Sequence, residues 1–169
     1  MTHRPLWLYH VKSMLETTGE GSFYAHGLRF SCKRCSACCR FDAGYVFLSQ
    51  KDVSLLCAPL DMQHDIFIEK YCRWIPAGNG TSRLSLQEKQ NYDCIFWSEK
   101  NGEGCMVYKV RPLQCRTFPF WASVMRSKNS WEMTAMGCPG MDDGEHHCKD
   151  SIKKMLAMPQ MEPIIFRNI

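Results

Sequence analysis

The residues of this chain best suited to chemistry are its cysteines, and they are grouped. The stretch "FSCKRCSACCRFDAG", Phe30 to Gly44, holds Cys32, Cys35, Cys38 and Cys39, four thiols within eight residues. Thiolates are soft ligands that select zinc and iron–sulfur centres. A Cys-x-x-Cys-x-x-Cys run lets three of them wrap one centre, and in bacterial ferredoxins a remote Cys-Pro supplies a further thiolate. Here Cys138 precedes Pro139, which favours iron–sulfur. Zinc also accepts paired Cys-x-x-Cys units, so it stays in contention. In extended chain, adjacent side chains point to opposite sides. The doublet is therefore expected to send Cys38 and Cys39 to two different centres, or to one centre and one reactive thiol.

The sequence has eleven cysteines. In a reducing compartment they do not read as a disulfide framework, and an odd count leaves one over in any all-disulfide scheme. Helical spacing separates core thiols from ligands. Val53, Leu56, Cys57 and Leu60 share one helical face; so do Ile68, Tyr71, Cys72 and Ile75, and so do Cys148, Ile152, Met155 and Leu156. A lone thiol on such a stripe behaves as a small buried hydrophobe. Cys57, Cys72 and Cys148 are assigned to the core on that basis. His146 and His147 beside Cys148 leave a ligand cluster as its alternative. Eight cysteines lie off the stripes, in expected loops or strand ends: Cys32, Cys35, Cys38, Cys39, Cys94, Cys105, Cys115 and Cys138. Eight is the number that two four-thiolate sites need. It also suits one site with spare or redox-active thiols.

A second stretch, "YKVRPLQCRTFPF", brackets Cys115 with Arg111 and Arg116. Guanidinium forks can donate hydrogen bonds to sulfur or to an anionic ligand, so both arginines are candidate cofactor-binding residues. The plainer alternative pairs them with surface carboxylates. Pro112 and Pro119 stiffen the segment and remove backbone donors. Asp142, Asp143 and Glu145 beside His146 and His147 offer a carboxylate–histidine site, but "DDGEHH" reads equally as an acidic helix start suited to the dipole. No nucleophile elbow, P-loop or HExxH pattern occurs. Trp97, Trp121 and Trp131 read as core or as shielding for a cluster.

The elements that must position these residues are short. "GYVFLS" reads as a strand running into a helix that Ser49 and Asp52 open with a capping box. Helices are expected at about 49–59 and 61–74, a turn at "PAGNG", and a strand at "SRLSLQ". "CIFW" and "CMVY" flank the polar turn "SEKNGEG" as a hairpin that brings Cys94 near Cys105. "FWASVMRSKNSWEMTAM" reads as another hairpin around "SKNS". A helix at about 145–157 closes the chain, with Pro159 as its stop. The expected fold is α+β: small antiparallel strands and hairpins with a few helices packed around a cysteine-rich metal centre. Residues 1–28 form an N-terminal lead-in, and residues 29–169 form the cysteine-cluster domain.

Composition bounds the rest. A chain of 169 residues with 45% apolar content can bury a core as one domain. No apolar run approaches the ~18 residues of a membrane span, and "MTHRPLWLYHVKSMLETTGE" lacks the apolar block of a secretory signal. A cytoplasmic protein with no membrane partner is expected. The formal charge of +4 is misleading. Eight thiolates would add about −8 and two divalent centres return about +4, leaving the chain near neutral. With no Lys/Arg-rich block or stacking stripe, a nucleic-acid partner is not expected.

Together, "FSCKRCSACCR", "GYVFLSQKDV", "YDCIFW", "GCMVYKVRPLQCRTFP" and "GCPG" resemble the YkgJ-type, or CxxCxxCC, family of zinc- or iron-chelating cysteine-cluster proteins. The likeness spans about residues 29–140 and implies the same eight cysteines as ligands. A related cysteine pattern occurs in the longer flagellin lysine methylases, which use S-adenosylmethionine; this chain shows no G-x-G-x-x-G loop. Three functions follow as expectations. The first is a metal-binding cysteine-cluster protein holding an iron–sulfur cluster, of the 4Fe-4S type, or zinc. The second is a cluster-dependent protein-modifying enzyme or its accessory, with a protein substrate or partner. The third is a thiol redox or metal-trafficking protein.

Overall fold

The computed structural model describes residues 21–99 and 104–168. It is an α+β fold of short helices and small antiparallel sheets. The expected lead-in falls mostly outside the described residues. Strand β1 (Leu28–Phe30) precedes the cysteine run. Helices α1 (Gln50–Cys57) and α2 (His64–Tyr71) follow, then strands β2 (Cys72–Gly78) and β3 (Thr81–Leu86). The two-residue strands β4 (Trp97–Ser98) and β5 (Gly104–Cys105) pair as the expected hairpin. Then come α3 (Leu113–Thr117), α4 (Lys128–Ala135), β6 (Met141–His147), α5 (Lys149–Met161) and β7 (Phe166–Asn168). Among the described residues no helix is long and apolar enough to cross a membrane.

The capping box is present in full. Ser49 accepts from the Asp52 backbone N–H, and Asp52 accepts in return from that of Ser49. Behind it Val53, Leu56 and Cys57 are buried, joined by Leu48, Phe67, Leu84 and Phe96 in a first core. Strand β3 is the centre of a β2-β3-β7 sheet. The segment before α1 lies along it, with Leu48 N–H donating to Leu84 and Leu86 N–H donating to Val46, both at 3.0 Å. A second core gathers Tyr24, Phe120, Trp131, Met141 and Ile152. Strand β1 pairs with β6 at its edge.

Four expectations change. The second helix ends at Tyr71, and Cys72 opens a strand instead of continuing the helical face. Its partner Leu86 lies opposite it across the sheet, so cross-strand pairing overrides the 3.6-residue pattern. The segment around "SKNS" is the helix α4, because Ser127 caps it by accepting from Ser130 N–H at 3.1 Å and Trp131 buries on the second core. "DDGEHH" is the strand β6, and the closing helix starts only at Lys149 and runs past Pro159. Cys148 is its exposed N-cap residue, so the buried stripe there is carried by Ile152 without the thiol.

Asp52 does more than cap. It is 1% exposed, and its second oxygen accepts from Leu113 N–H at 2.8 Å and faces Arg116 at 3.6 Å. Replacing it by Ala leaves three buried donors (Ser49 N–H, the Ser49 hydroxyl and Leu113 N–H) and a guanidinium without this partner. The expected cost is about 3 kcal/mol or more in a denaturant titration. Cys72 behaves as core: burial, with the neighbouring Cys57, pushes its thiol up to about 12. A raised value means that the folded state favours the neutral thiol. That contribution is complete below pH ~9, the ordinary thiol range, and is lost as pH climbs towards the folded value. Cys72→Val is expected to flatten this alkaline loss of stability, whereas Cys72→Ser costs about 1–3 kcal/mol at neutral pH.

Candidate metal centre

The site sits where the two cores meet. The doublet does not lie in extended chain: Ala37–Cys39 is a single 3-10 turn. Left-handed backbone at Arg34 and Ser36 (φ 53° and 65°) curls the run into that turn. As a result the Sγ atoms of Cys38 and Cys39 are 3.7 Å apart rather than on opposite sides. Both line a cavity of about 90 Å³ together with Cys32, Cys94, Cys105 and Cys115. Phe30 and Phe118 wall it from the second core's side; Val46, Leu86 and Val107 wall it from the first. Cys138 is close enough to Cys35 and Cys38 to feel their charge. Six of the eight off-stripe cysteines therefore line one cavity, and Cys35 and Cys138 line neither cavity but lie within electrostatic reach of each other and of the cavity's Cys38. Cys57 and Cys72 stay in the first core, as expected.

Each thiol is held by a specific device. The Cys94 backbone N–H donates to the Cys39 carbonyl at 2.8 Å. Arg40 and Asp93, the next residues along, form an ion pair at 3.1 Å with Asp93 buried, so the doublet is clipped to Cys94 twice. Cys105 is delivered by the β4–β5 hairpin opposite Trp97. Cys115 lies on α3 rather than in a loop, and α3 spends every residue on attachment. Leu113 N–H reaches Asp52, Gln114 bonds the backbone at Phe47 and Tyr45, Arg116 faces Asp52 and Glu162, and Thr117 bonds back to Leu113. Cys138 is fixed through Gly140. A Cβ at Gly140 would sit 2.3 Å from the Ser31 carbonyl, which only glycine permits, and Ser31 N–H donates to the Gly140 carbonyl at 3.1 Å. That contact joins the residue just before Cys32 to the residue two positions after Cys138.

The histidines and acids of β6 are used structurally. His146 and His147 bond the carbonyls of His26 and Phe30 through Nε2, at 2.8 and 3.1 Å. Asp142 accepts from the Trp131 indole, and Asp143 pairs with Lys33. They brace β1, and no carboxylate–histidine site forms from them. Arg111 stacks on the Tyr108 ring at 4.0 Å and lines the thiol cavity. Arg34 stacks on the same ring at 4.1 Å and also lines it; sequence reasoning passed over this residue. Arg116, by contrast, lines neither cavity at the site and sits 3.6 Å from both Asp52 and Glu162.

The electrostatics explain what such a cluster requires. Burial first, then neighbouring thiols, push the Cys94 and Cys115 thiols up. Burial pushes up Cys105 as well, with Arg111 acting in the opposite sense. Cys39 is raised because its S–H is shared with Cys38, and Cys38 correspondingly falls to about 7, with Arg111 assisting. Crowded thiols cannot all ionise beside one another unless a cation joins them. The donor set is all sulfur, which suits a soft metal. Among the described residues, no three Cys, His, Asp or Glu side chains form a ready-made metal-binding group; the thiols line a shared space.

Comparisons with known proteins place the chain in a family. Residues 31–139 match the family described as "CxxCxxCC: Putative zinc- or iron-chelating domain". The chain belongs to the CxxCxxCC family. It is also 32% identical over 105 residues to the uncharacterized protein MJ0661 of Methanocaldococcus jannaschii, covering 62% of this chain and 52% of that protein. This CxxCxxCC chain thus spans about half the length of the curated relative it matches. No solved structure matches it.

The thiols differ enough in acidity to be told apart chemically. In metal-free, reduced protein near pH 7, Cys38 is expected to be alkylated first, its rate rising through pH ~7, while Cys115 lags by an order of magnitude or more. Peptide mass spectrometry after timed iodoacetamide treatment checks this; equal rates at Cys38 and Cys115 would contradict it.

Proposed function

We propose that this CxxCxxCC protein holds zinc or iron through Cys32, Cys35, Cys38, Cys39, Cys94, Cys105, Cys115 and Cys138, divided into two adjoining four-thiolate sites. The observation that carries this reading is the gathering of the eight off-stripe cysteines at one seam between the two cores. Their electrostatic neighbours suggest the division. Cys115 senses Cys94 and Cys105, and Cys39 senses Cys94 and Cys115, which groups Cys39, Cys94, Cys105 and Cys115. Cys138 senses Cys35, and Cys38 is sensed from both sides, by Cys94, Cys105 and Cys115 and by Cys138. The first quartet is the inner one. The second, with Cys32, Cys35 and Cys38 exposed, is the outer one. The doublet is the junction, contributing one thiol to each. Arg34 and Arg111 would offset the charge of the bound thiolates.

Two occupants are supported by different observations. The Cys32-x-x-Cys35-x-x-Cys38 run with Cys138-Pro139 favours iron–sulfur, of the 4Fe-4S type. The 3.7 Å separation of the doublet sulfurs favours a tetrahedral zinc or iron ion. With metal–sulfur bonds of ~2.3 Å, two thiolates on one such ion stand about 3.8 Å apart. On this second occupant the doublet would share one ion, and the division of one doublet thiol to each site belongs to the iron–sulfur occupant alone. A cytoplasmic setting would keep the thiols reduced.

Anaerobic purification with an absorption spectrum and metal analysis decides the occupant. Broad absorbance near ~400 nm with up to about eight irons is the iron–sulfur outcome, and about two colourless zinc ions the other. Folded protein without either metal would sink the proposal. Cys94→Ser and Cys35→Ser should each remove about half of the metal, and Cys39→Ser should spare the outer half. Metal uptake must also release protons, because burial favours the protonated thiol at Cys94, Cys105 and Cys115 in the metal-free protein. Affinity is therefore expected to rise with pH by more than tenfold per unit, measured by competition with a chelator.

A further inference from the structure

The cluster has an outward face. Beside the 90 Å³ chamber lies a second cavity of about 340 Å³, and Cys38, Cys39, Cys94 and Cys115 line both. Cys32 and Cys105 line only the smaller one. Four thiols therefore form a floor between an inner chamber and an outer vestibule. Tyr45 and Tyr92, about half exposed, stand among the vestibule's lining residues. Deeper in, Trp121 is pinned by its indole N–H to the Gln114 carbonyl at 2.8 Å and packs edge-on against Phe118.

Apart from the hydroxyls of the half-exposed Tyr45 and Tyr92, the uncharged and acidic side chains deeper in the vestibule wall are largely occupied. Gln114 spends its amide oxygen on Phe47 N–H and its amide nitrogen on the Tyr45 carbonyl. Gln87 donates to the Cys72 carbonyl, and Glu88 accepts from Gly44 N–H and Arg73. Few donors or acceptors remain aimed inward to orient an organic ligand. Of the charged side chains lining the space, Arg40 is neutralised by Asp93 and Glu88 by Arg73. Asp42 is exposed and makes no ion pair among the described residues. The vestibule thus combines an unneutralised carboxylate, a thiol floor, and walls with few unengaged polar side chains besides the Tyr45 and Tyr92 hydroxyls at its exposed rim. Such a space attracts small cations and holds little else in a fixed pose.

We propose that this vestibule is the passage through which a hydrated divalent metal ion reaches and leaves the thiol cluster, with Asp42 drawing it in and Cys38 and Cys39 receiving it. The inference rests on the metal-binding reading above. As each thiol binds, it releases its proton to solvent, and the water it displaces from the ion leaves by the same space. No electron changes hands.

Two variants of the full chain, loaded with zinc, test this. Gly44 lines the vestibule, has ordinary backbone geometry, and a Cβ there meets no atom within 4 Å. Gly44→Trp therefore puts bulk into free space. Transfer of zinc to an excess of chromophoric chelator, and reloading of the stripped protein, are expected to slow about tenfold or more, with stoichiometry and Kd unchanged. Asp42→Lys should slow loading about three- to tenfold at low salt, an effect that fades as ionic strength rises. Thermal melts establish that each variant is folded; Asp42 is exposed, so that variant carries the test if the tryptophan perturbs folding. Unchanged rates in folded variants would overturn the passage. A Kd that shifts in step with the release rate alone would also overturn it, because the residue would then be part of the binding site. Failure of the folded, unmodified chain to take up either zinc or iron would overturn the metal-binding reading itself, a separate and recognisable result.

Discussion

The buried carboxylate of Asp52 is the constraint on which the site depends. One oxygen closes the capping box of α1, and the other takes the first N–H of α3 and faces Arg116. A carboxylate that is 1% exposed must have all its partners or become a liability. Here the partners come from two elements 61 residues apart in sequence. The interaction therefore fixes where α3 begins, and with it where Cys115 points. Arg116 extends the same network to Glu162 after α5. A five-residue helix could not hold its position by itself. Tied by Asp52, by Gln114 and by the fully buried Pro112, it becomes a rigid shelf for one thiol.

The remaining thiols are delivered by equally local devices converging from both cores. The Arg40–Asp93 ion pair and the Cys39–Cys94 backbone bond join the doublet to the first core. The Ser31–Gly140 contact joins the start of the cysteine run to Cys138 on the second. The site is a seam, and the seam explains its mixed lining of apolar wall and sulfur. Such a placement makes metal binding and the joining of the two cores parts of one equilibrium, since a bound ion would cross-link segments from each.

How much of this was legible without a structure depends on the range over which each signal acts. The capping box, the α1 stripe and the core placement of Cys57 are local patterns, and they read correctly; Cys72 is buried as expected, but by strand pairing with Leu86 rather than on a helical face. The hairpin delivering Cys105 was legible from its polar turn. The region around "SKNS" was not, because its alternating apolar residues mimic strands, while the deciding features are the Ser127 cap and the burial of Trp131 on a distant core. Likewise "DDGEHH" is acidic enough to open a helix, yet it pairs with β1 across more than a hundred residues. Arg34 carried no signal at all, since its stacking on Tyr108 depends on a left-handed backbone in the cysteine loop.

What the sequence by itself determined is the donor chemistry: eight cysteines off the hydrophobic stripes, in spacings that suit a soft metal, and three cysteines outside that set. Ligand type and local spacing are written in the order of residues, so they need no fold to be read. What only the tertiary structure decided is direction. A 3-10 turn, not extended chain, brings the Sγ atoms of Cys38 and Cys39 to 3.7 Å. An aspartate far upstream engages Arg116, while Arg111 stays at the thiols. The open cavity over Cys38, Cys39, Cys94 and Cys115 exists only where segments distant in sequence meet. Side-chain direction follows from backbone dihedrals and from long-range partners, and neither can be counted along a chain.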